Sequence, residues 1–259
     1  MNKRENIILN LLAGRGRMEV SALAQALGVS PVTVRKDLDE LERRGVLRRE
    51  HGFAVFGGSD DMNNRLAWHY EKKRRIAGKA AGLVSPGETV MIESGSCCAL
   101  LAEEIARTKP GATIITNSAF IAGYIRRIEG ARVVLLGGDF QNDAQVMVGP
   151  ILKTCAAQFY VRTLFVGADD YSDKLGFMAS DHLRVQAVRD MAAQAERVIA
   201  VTESSKFGRL STVPLALPGG VRGVVTDARL EPGVEAALVG AGMAVYKAQS
   251  GRGPEIGGR

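Results

Sequence analysis

The sequence predicts an α/β protein in two parts: an N-terminal winged helix-turn-helix joined to a larger doubly wound parallel-sheet domain. Three observations carry that expectation. Residues 1–50 show apolar spacing of helical period punctuated by glycines, and a short hairpin pattern follows. From residue 89 onward, short apolar runs alternate with amphipathic stretches. Between the two lies Gly57-Gly58-Ser59-Asp60-Asp61, a polar, turn-rich stretch that reads as a linker. The expected organisation is 1–58 for the winged helix-turn-helix and 59–75 for the linker and the start of a basic linker helix. Residues 76–248 form the larger domain, and the Gly-rich tail 249–259 is expected to be disordered.

In the first part, Ile7, Ile8, Leu11 and Leu12 give a first helix, with Gly14 and Gly16 to stop it. A second runs from Val20 through Leu23, Ala24 and Leu27 and ends at Gly28. The third opens with Ser30-Pro31, a hydroxyl to cap the free amides and then proline at the first helical position. Val34, Leu38 and Leu41 fall at i, i+4 and i+7 and line its buried face. Gly45 ends that helix, and residues 46–56 read as the β-hairpin of a wing.

A basic helix with Lys72, Lys73, Arg74 and Arg75 leads into Ile76, Ala77, Ala80 and Leu83. Strands are then expected at 89–93, 113–116, 131–136, 163–169, 197–202, 223–227 and 243–246. Amphipathic helices are expected at 97–107, 118–128, 182–195 and 231–241. Near-continuous apolar strands separated by helices imply a parallel sheet covered on both faces.

At 259 residues the chain can bury one small and one medium core. Its formal net charge of +6 favours a polyanionic partner without naming it. The N-terminus has too short and interrupted an apolar stretch for a secretory signal, and no segment approaches the roughly 20 apolar residues that span a bilayer. Three cysteines, two of them adjacent, make no disulfide framework, and a cytoplasmic protein is expected.

In a helix-turn-helix the second helix of the motif enters the major groove, and its early, outward residues meet DNA. Ser30, Thr33, Arg35 and Lys36 form that outward set, because Val34 and Leu38 point to the core. Two cations and two hydroxyls at a helix start suit a phosphate-lined groove, and arginine can grip guanine bidentately. The wing adds Arg48, Arg49 and His51. Singly these are ordinary charges on a solvated helix. Their order, a glycine turn, a capped basic helix, a glycine stop and a basic hairpin, points to double-stranded operator DNA.

Residues 20–54 closely resemble the DeoR family of bacterial repressors, with Ser30, Thr33, Arg35, Asp37, Leu38, Leu47, Arg49, His51, Gly52 and Ala54 matching its pattern. Lys36 stands where arginine is usual, keeping the charge but losing the planar fork, and Phe53 replaces the second glycine of the wing. Residues 72–247 resemble the sensor domain of the same family, whose fold is of the ribose-5-phosphate-isomerase type. The resemblance implies a repressor of a carbohydrate-metabolism operon, controlled by a small phosphorylated metabolite of the sugar phosphate class.

The residues around the strand ends fit such a ligand. The loop Ser94-Gly95-Ser96-Cys97-Cys98 between a strand and a helix start is a generic anion site. By resemblance, Gly95, Ser96 and Cys97 hold the phosphate, Asn117, Gly138 and Asp169 flank the sugar, and Lys206 offers its ammonium. Glu93, Ser96 and Cys97 stand where the family usually has aspartate and two threonines. The alternative is a catalytically active sugar-phosphate isomerase with an added DNA-binding domain, since VGADD (166–170) and SSK (204–206) resemble that enzyme's signatures. Against it, the enzyme's following glycine-rich loop is reduced here to LGFMASD (175–181), so no catalytic residue and no cofactor are expected.

Cys97-Cys98 lacks a CxxC or histidine partner and reads as small side chains in a tight loop, and Cys155 as core. His69 and His182 lack metal-ligand spacing, so no metal is expected. Trp68 and Tyr70 are expected to pack the two domains together or to support an oligomer contact. A homodimer or homotetramer would present paired recognition helices to repeated half-sites.

Overall fold

A computed structural model describes residues 3–43, 47–55 and 62–249. Gly45, the stretch 57–61 and the tail beyond Gln249 lie outside the described residues.

The chain begins with α1 (Lys3–Arg15), β1 (Arg17–Glu19), α2 (Val20–Leu27), α3 (Pro31–Arg43), β2 (Arg48–Glu50) and β3 (Phe53–Val55). The α1 helix runs on through Gly14, and it is Gly16, at φ +68°, that ends it. Gly28, at φ +64°, closes α2 with its N–H on the last carbonyls. Ser30 caps α3, its Oγ accepting from the Thr33 N–H at 3.2 Å. The wing is three-stranded in the order β1-β3-β2, because the short strand Arg17–Glu19 pairs along β3. That strand is too short to leave a period in the sequence. It also explains Phe53, whose ring lies 3.8 Å beneath the Arg17 guanidinium and braces the wing on β1.

Next come α4 (Met62–Ala67) and α5 (Tyr70–Ala81). The sheet region follows: β4 (Thr89–Ile92), α6 (Ser96–Thr108), β5 (Thr113–Thr116), α7 (Ala119–Ile125), β6 (Arg132–Leu135), β7 (Asp139–Gln141), β8 (Val146–Val148), α8 (Pro150–Ala156) and β9 (Val161–Val166). It continues with β10 (Asp170–Ser172), β11 (Gly176–Ala179), α9 (His182–Ala192), β12 (Ala195–Val201), a 3₁₀ turn at Ser204–Lys206, β13 (Val213–Pro214), β14 (Gly223–Asp227), α10 (Pro232–Gly240) and β15 (Ala244–Ala248).

Seven strands form one parallel sheet in the order β15-β14-β12-β9-β4-β5-β6. From β4 the chain winds outward through β5 and β6, then returns to lay β9 against the other side of β4. That reversal puts a topological switch point between β4 and β9, where open α/β sheets bind ligands. Both faces are buried, with alternate residues feeding opposite cores. Ile92, Ile114, Phe165 and Ile199 pack on the side of α5 and α6, and Met91, Ile115, Leu164 and Val198 on the side of α8 and α9. The first of these cores continues through Met62, Leu66 and Ala67 of α4 to Ile8, Leu9 and Leu12 of α1. The helix α4 therefore ties the winged helix to the sheet domain.

Two small antiparallel additions have strands of only two to four residues, too short to register in the sequence. One is the β7–β8 hairpin, and the other the sheet β10-β11-β13, in which Tyr171, Phe177 and Phe207 cluster.

Candidate functional site

A cleft of about 530 Å³ opens at the carboxyl ends of β4, β9 and β12, beside the switch point. Its floor is the turn Gly95-Ser96-Cys97 at the start of α6. Gly95, at φ +124°, occupies the N-cap position in a backbone conformation that side chains resist. Gly167 faces it across the sheet end, so close that a Cβ there would sit 3.0 Å from the Ser94 carbonyl oxygen. The first amides of α6 have no partners within the helix, and together with the helix dipole they favour an anion.

Cations surround that turn. Lys206, from the 3₁₀ turn after β12, lines the cleft with Arg209, and Lys73 and Arg65 enter from α5 and α4. Lys73 is buried, its Nζ donating to the carbonyls of Trp68, at 2.7 Å, and of Arg65. Burial pulls its pKa down, and the Glu203 carboxylate opposes that pull. Glu203 is only 6% exposed and meets His69 Nδ1 at 2.8 Å, Lys72 at 3.3 Å and Lys73 at 3.8 Å. Burial alone would raise this carboxyl, but the His69 hydrogen bond and the two lysines outweigh it and hold it below its usual value.

Four of the residues expected at the ligand (Gly95, Ser96, Cys97 and Lys206) come together in this cleft. Glu93 and Asp169 line an adjoining recess with Arg65. Asp169 Oδ2 accepts from the Ser180 N–H and hydroxyl, both at 3.1 Å, and its Oδ1 lies 3.5 Å from Arg65. Glu93 is buried, accepting from Ser94 Oγ at 2.6 Å and from the Gly167 N–H at 3.1 Å, and burial raises its pKa to about 7. Asn117 and Gly138 are not brought to the cleft. Asn117 is bonded to Met147 through its backbone and its Nδ2, and Gly138 is where the β7–β8 hairpin crosses, a Cβ there meeting the Val148 oxygen at 2.5 Å. The family resemblance puts both at the ligand, whereas here both pack against β8.

The sequence reading missed Arg65, Lys73 and Glu203. Lys73 did leave a signal. It falls at i with Ile76, Ala77 and Ala80 at i+3, i+4 and i+7, a cation on the buried stripe of α5. Trp68 also belongs to the cleft wall rather than to a packed domain contact, being 48% exposed, whereas Tyr70 is buried. Cys97 and Cys98 are both buried, and burial pushes the Cys97 thiol up to about 12, so it stays protonated. Cys155 is half-buried against the α8–α9 core.

On the winged helix, Arg35 and Lys36 are exposed on the outward side of α3. Ser30 Oγ and Thr33 Oγ1 lie 2.9 Å apart and engage each other in the cap. Buried Asp37 receives Arg4 of α1, with Nη2 at 2.9 Å, which fixes α3 on α1. In the wing, Arg48 and His51 are exposed, His51 at the hairpin turn with φ +43°. The Arg49 guanidinium instead pairs with Asp39 on α3.

Similarity to known proteins agrees with both halves. Residues 4–59 match the DeoR-like helix-turn-helix domain, and residues 68–228 match the DeoR C terminal sensor domain. The chain belongs to the DeoR family. Among relatives, it is 29% identical to the "Putative aga operon transcriptional repressor" of Escherichia coli O157:H7, over 81% of this chain and 80% of that one. It is 30% identical to the "Transcriptional repressor AccR" of Agrobacterium fabrum, over 86% and 88%. The "HTH-type transcriptional regulator UlaR" of Shigella sonnei is 27% identical over 95% and 98%. Ribose 5-phosphate isomerase A from Neisseria gonorrhoeae is 18% identical with a TM-score of 0.40, and the match covers 54% of each chain. This DeoR-family protein is thus a DNA-binding transcription regulator with a sensor domain. No helix among its described residues is long and apolar enough to cross a membrane.

Proposed function

We propose that this DeoR-family regulator is a cytoplasmic repressor of a carbohydrate-metabolism operon, that α3 reads its operator, and that a phosphorylated sugar or related metabolite in the cleft controls it. The observation that carries this is the convergence of Lys73, Lys206 and Arg209 on a glycine turn at the start of α6, in a cleft large enough for such a ligand. Gly95, Ser96 and Cys97 would hold the phosphate and Lys206 would pair with its charge. Asp169 and Glu93 would shape the adjoining end.

No catalytic step is assigned. Asp169, a carboxylate of the adjoining recess, is engaged by Ser180 and Arg65, and the relatives named above are regulators.

Two modules, 1–58 and 76–248, act through the linker 59–75, and the route between them is physical. Arg65 and the carbonyls bound by Lys73 sit on and beside α4, α4 packs on α1, and α1 holds α3 through Arg4 and Asp37. Gly16, at the end of α1, forms part of the cleft wall itself. A ligand that moves Arg65 or Lys73 therefore acts on α1 and, in a homodimer or homotetramer, on the spacing of the recognition helices. Coupling of about 1–3 kcal/mol would change operator affinity by roughly 5–150-fold.

Thermal-shift titration against sugar phosphates and their unphosphorylated parents tests the sensor. A phosphate ester at about 100 times its Kd should stabilise the protein by about 2.7 kcal/mol, and its parent sugar should not. Lys206→Ala should abolish that shift and retain operator binding. No shift with any ester, or conversion of one of them by the protein, would overturn the assignment. Arg35→Ala is expected to remove sequence-specific binding while leaving the ligand shift intact, read by competition between operator and random duplex. Wild-type discrimination in that variant would remove Arg35 from the groove.

A further inference from the structure

The outward face of α3 contains a residue that charge and hydroxyl chemistry do not account for. Val32 is 61% exposed at the second position of the helix. At about 100° per residue it lies opposite the buried stripe of Val34, Asp37, Leu38 and Leu41. Arg35, Lys36 and Asp39 lie within roughly 60° of it on the same side.

The rest of that face is unevenly available. Asp39 is taken by Arg49 of the wing and Arg43 by Glu40 at the helix end, and the Ser30 and Thr33 hydroxyls are bonded to each other. What remains open at the leading end is an aliphatic side chain flanked by two cations. Helix stability does not call for it, because a β-branched residue loses rotamer freedom where alanine would not. Nor does phosphate attraction, since an isopropyl group offers phosphate nothing. Arg35 and Lys36 bring this end of α3 to the phosphate-lined major groove, and the one apolar group presented there by base edges is the 5-methyl of thymine.

We infer that Val32 is a specificity-determining residue that meets the 5-methyl group of a thymine in each operator half-site. The inference rests on α3 being the reading helix, as proposed above.

The test uses the full chain and starts from random DNA. Duplexes are selected from a random library, and each thymine of the enriched site is replaced singly by deoxyuridine, which lacks only the methyl group. The expected result is one thymine per half-site whose replacement weakens wild-type binding about fourfold, the factor for one buried methyl-sized group. The same replacement should cost distinctly less in Val32→Ala, which keeps only the Cβ methyl. A site in which no thymine shows a methyl dependence, or a penalty that persists unchanged in Val32→Ala, overturns the role of Val32 and leaves the reading helix standing. Failure to enrich any sequence overturns the reading helix itself, and this inference with it.

Discussion

Glu203→Ala is expected to destabilise the sensor domain by about 3–5 kcal/mol, the cost of leaving a buried ammonium without its counter-charge. Glu203 is the only carboxylate among the described residues shown in contact with Lys73, which is itself buried beneath the cleft. With Glu203 gone, Lys73 keeps the carbonyls of Arg65 and Trp68 but faces Arg65 and Lys206, both of which disfavour its charge. The loss should depend on pH in a definite direction. A lysine whose folded pKa is depressed binds fewer protons folded than unfolded, so stability rises with pH between the folded value and the ordinary one. Denaturant unfolding of the variant should therefore recover as pH rises from neutral toward about 10, more steeply than wild type. An anionic ligand in the cleft should rescue it too, since the phosphate would supply the missing charge. A loss below about 1 kcal/mol without pH dependence would mean the two carbonyls alone satisfy Lys73.

The same lysine shows where sequence reading stops. The parallel sheet is legible because its strands are buried on both faces and so read as apolar runs; 113–116 and 223–227 coincide with β5 and β14. The run 163–169 overshoots, however. Residue type continues the strand through Gly167-Ala168, but β9 ends at Val166 so that Gly167 can close against Ser94 and form the cleft wall. The wing's third strand and the β7–β8 hairpin have three residues per strand, too few for a period to register. The cleft is half legible. Gly95, Ser96, Cys97 and Lys206 follow strands directly and can be placed by counting strand ends. Lys73 and Glu203 meet only because α5 packs across β12, β14 and β15, a long-range contact without a local signature. On α3 the helical period separates core from outward residues correctly. It gives no sign that Arg49 is held by Asp39, since that pairing depends on how the wing folds back.

Glu93→Gln is expected to do the opposite of most buried substitutions and stabilise the protein, in a pH-dependent way. Burial raises the Glu93 carboxyl from 4.5 to about 7, against the hydrogen bonds from Ser94 and the Gly167 N–H and against the charge of Arg65. An acid whose folded pKa lies above its unfolded one is more protonated in the folded state. Stability therefore falls as pH rises through the interval between them, and the contribution is fully lost above the folded value. A shift of that size corresponds to about 3 kcal/mol. Glutamine has the same shape, can accept from the Gly167 N–H and can donate to the Ser94 hydroxyl, and cannot ionise. The variant should match wild type near pH 4.5 and exceed it progressively, by up to about 3 kcal/mol at about pH 8, in paired denaturant titrations. If the variant is instead weaker at the alkaline end, Glu93 is ionised in the folded protein and held by Arg65, and the recess is an ion-pair site. The outcome bears on the cleft, because Glu93 and Gly167 join β4 to β9 at the switch point beside the Gly95-Ser96-Cys97 turn. A neutral carboxyl there leaves Arg65 and Lys73 to favour an anion, whereas an ionised one would compete with it for the same cations.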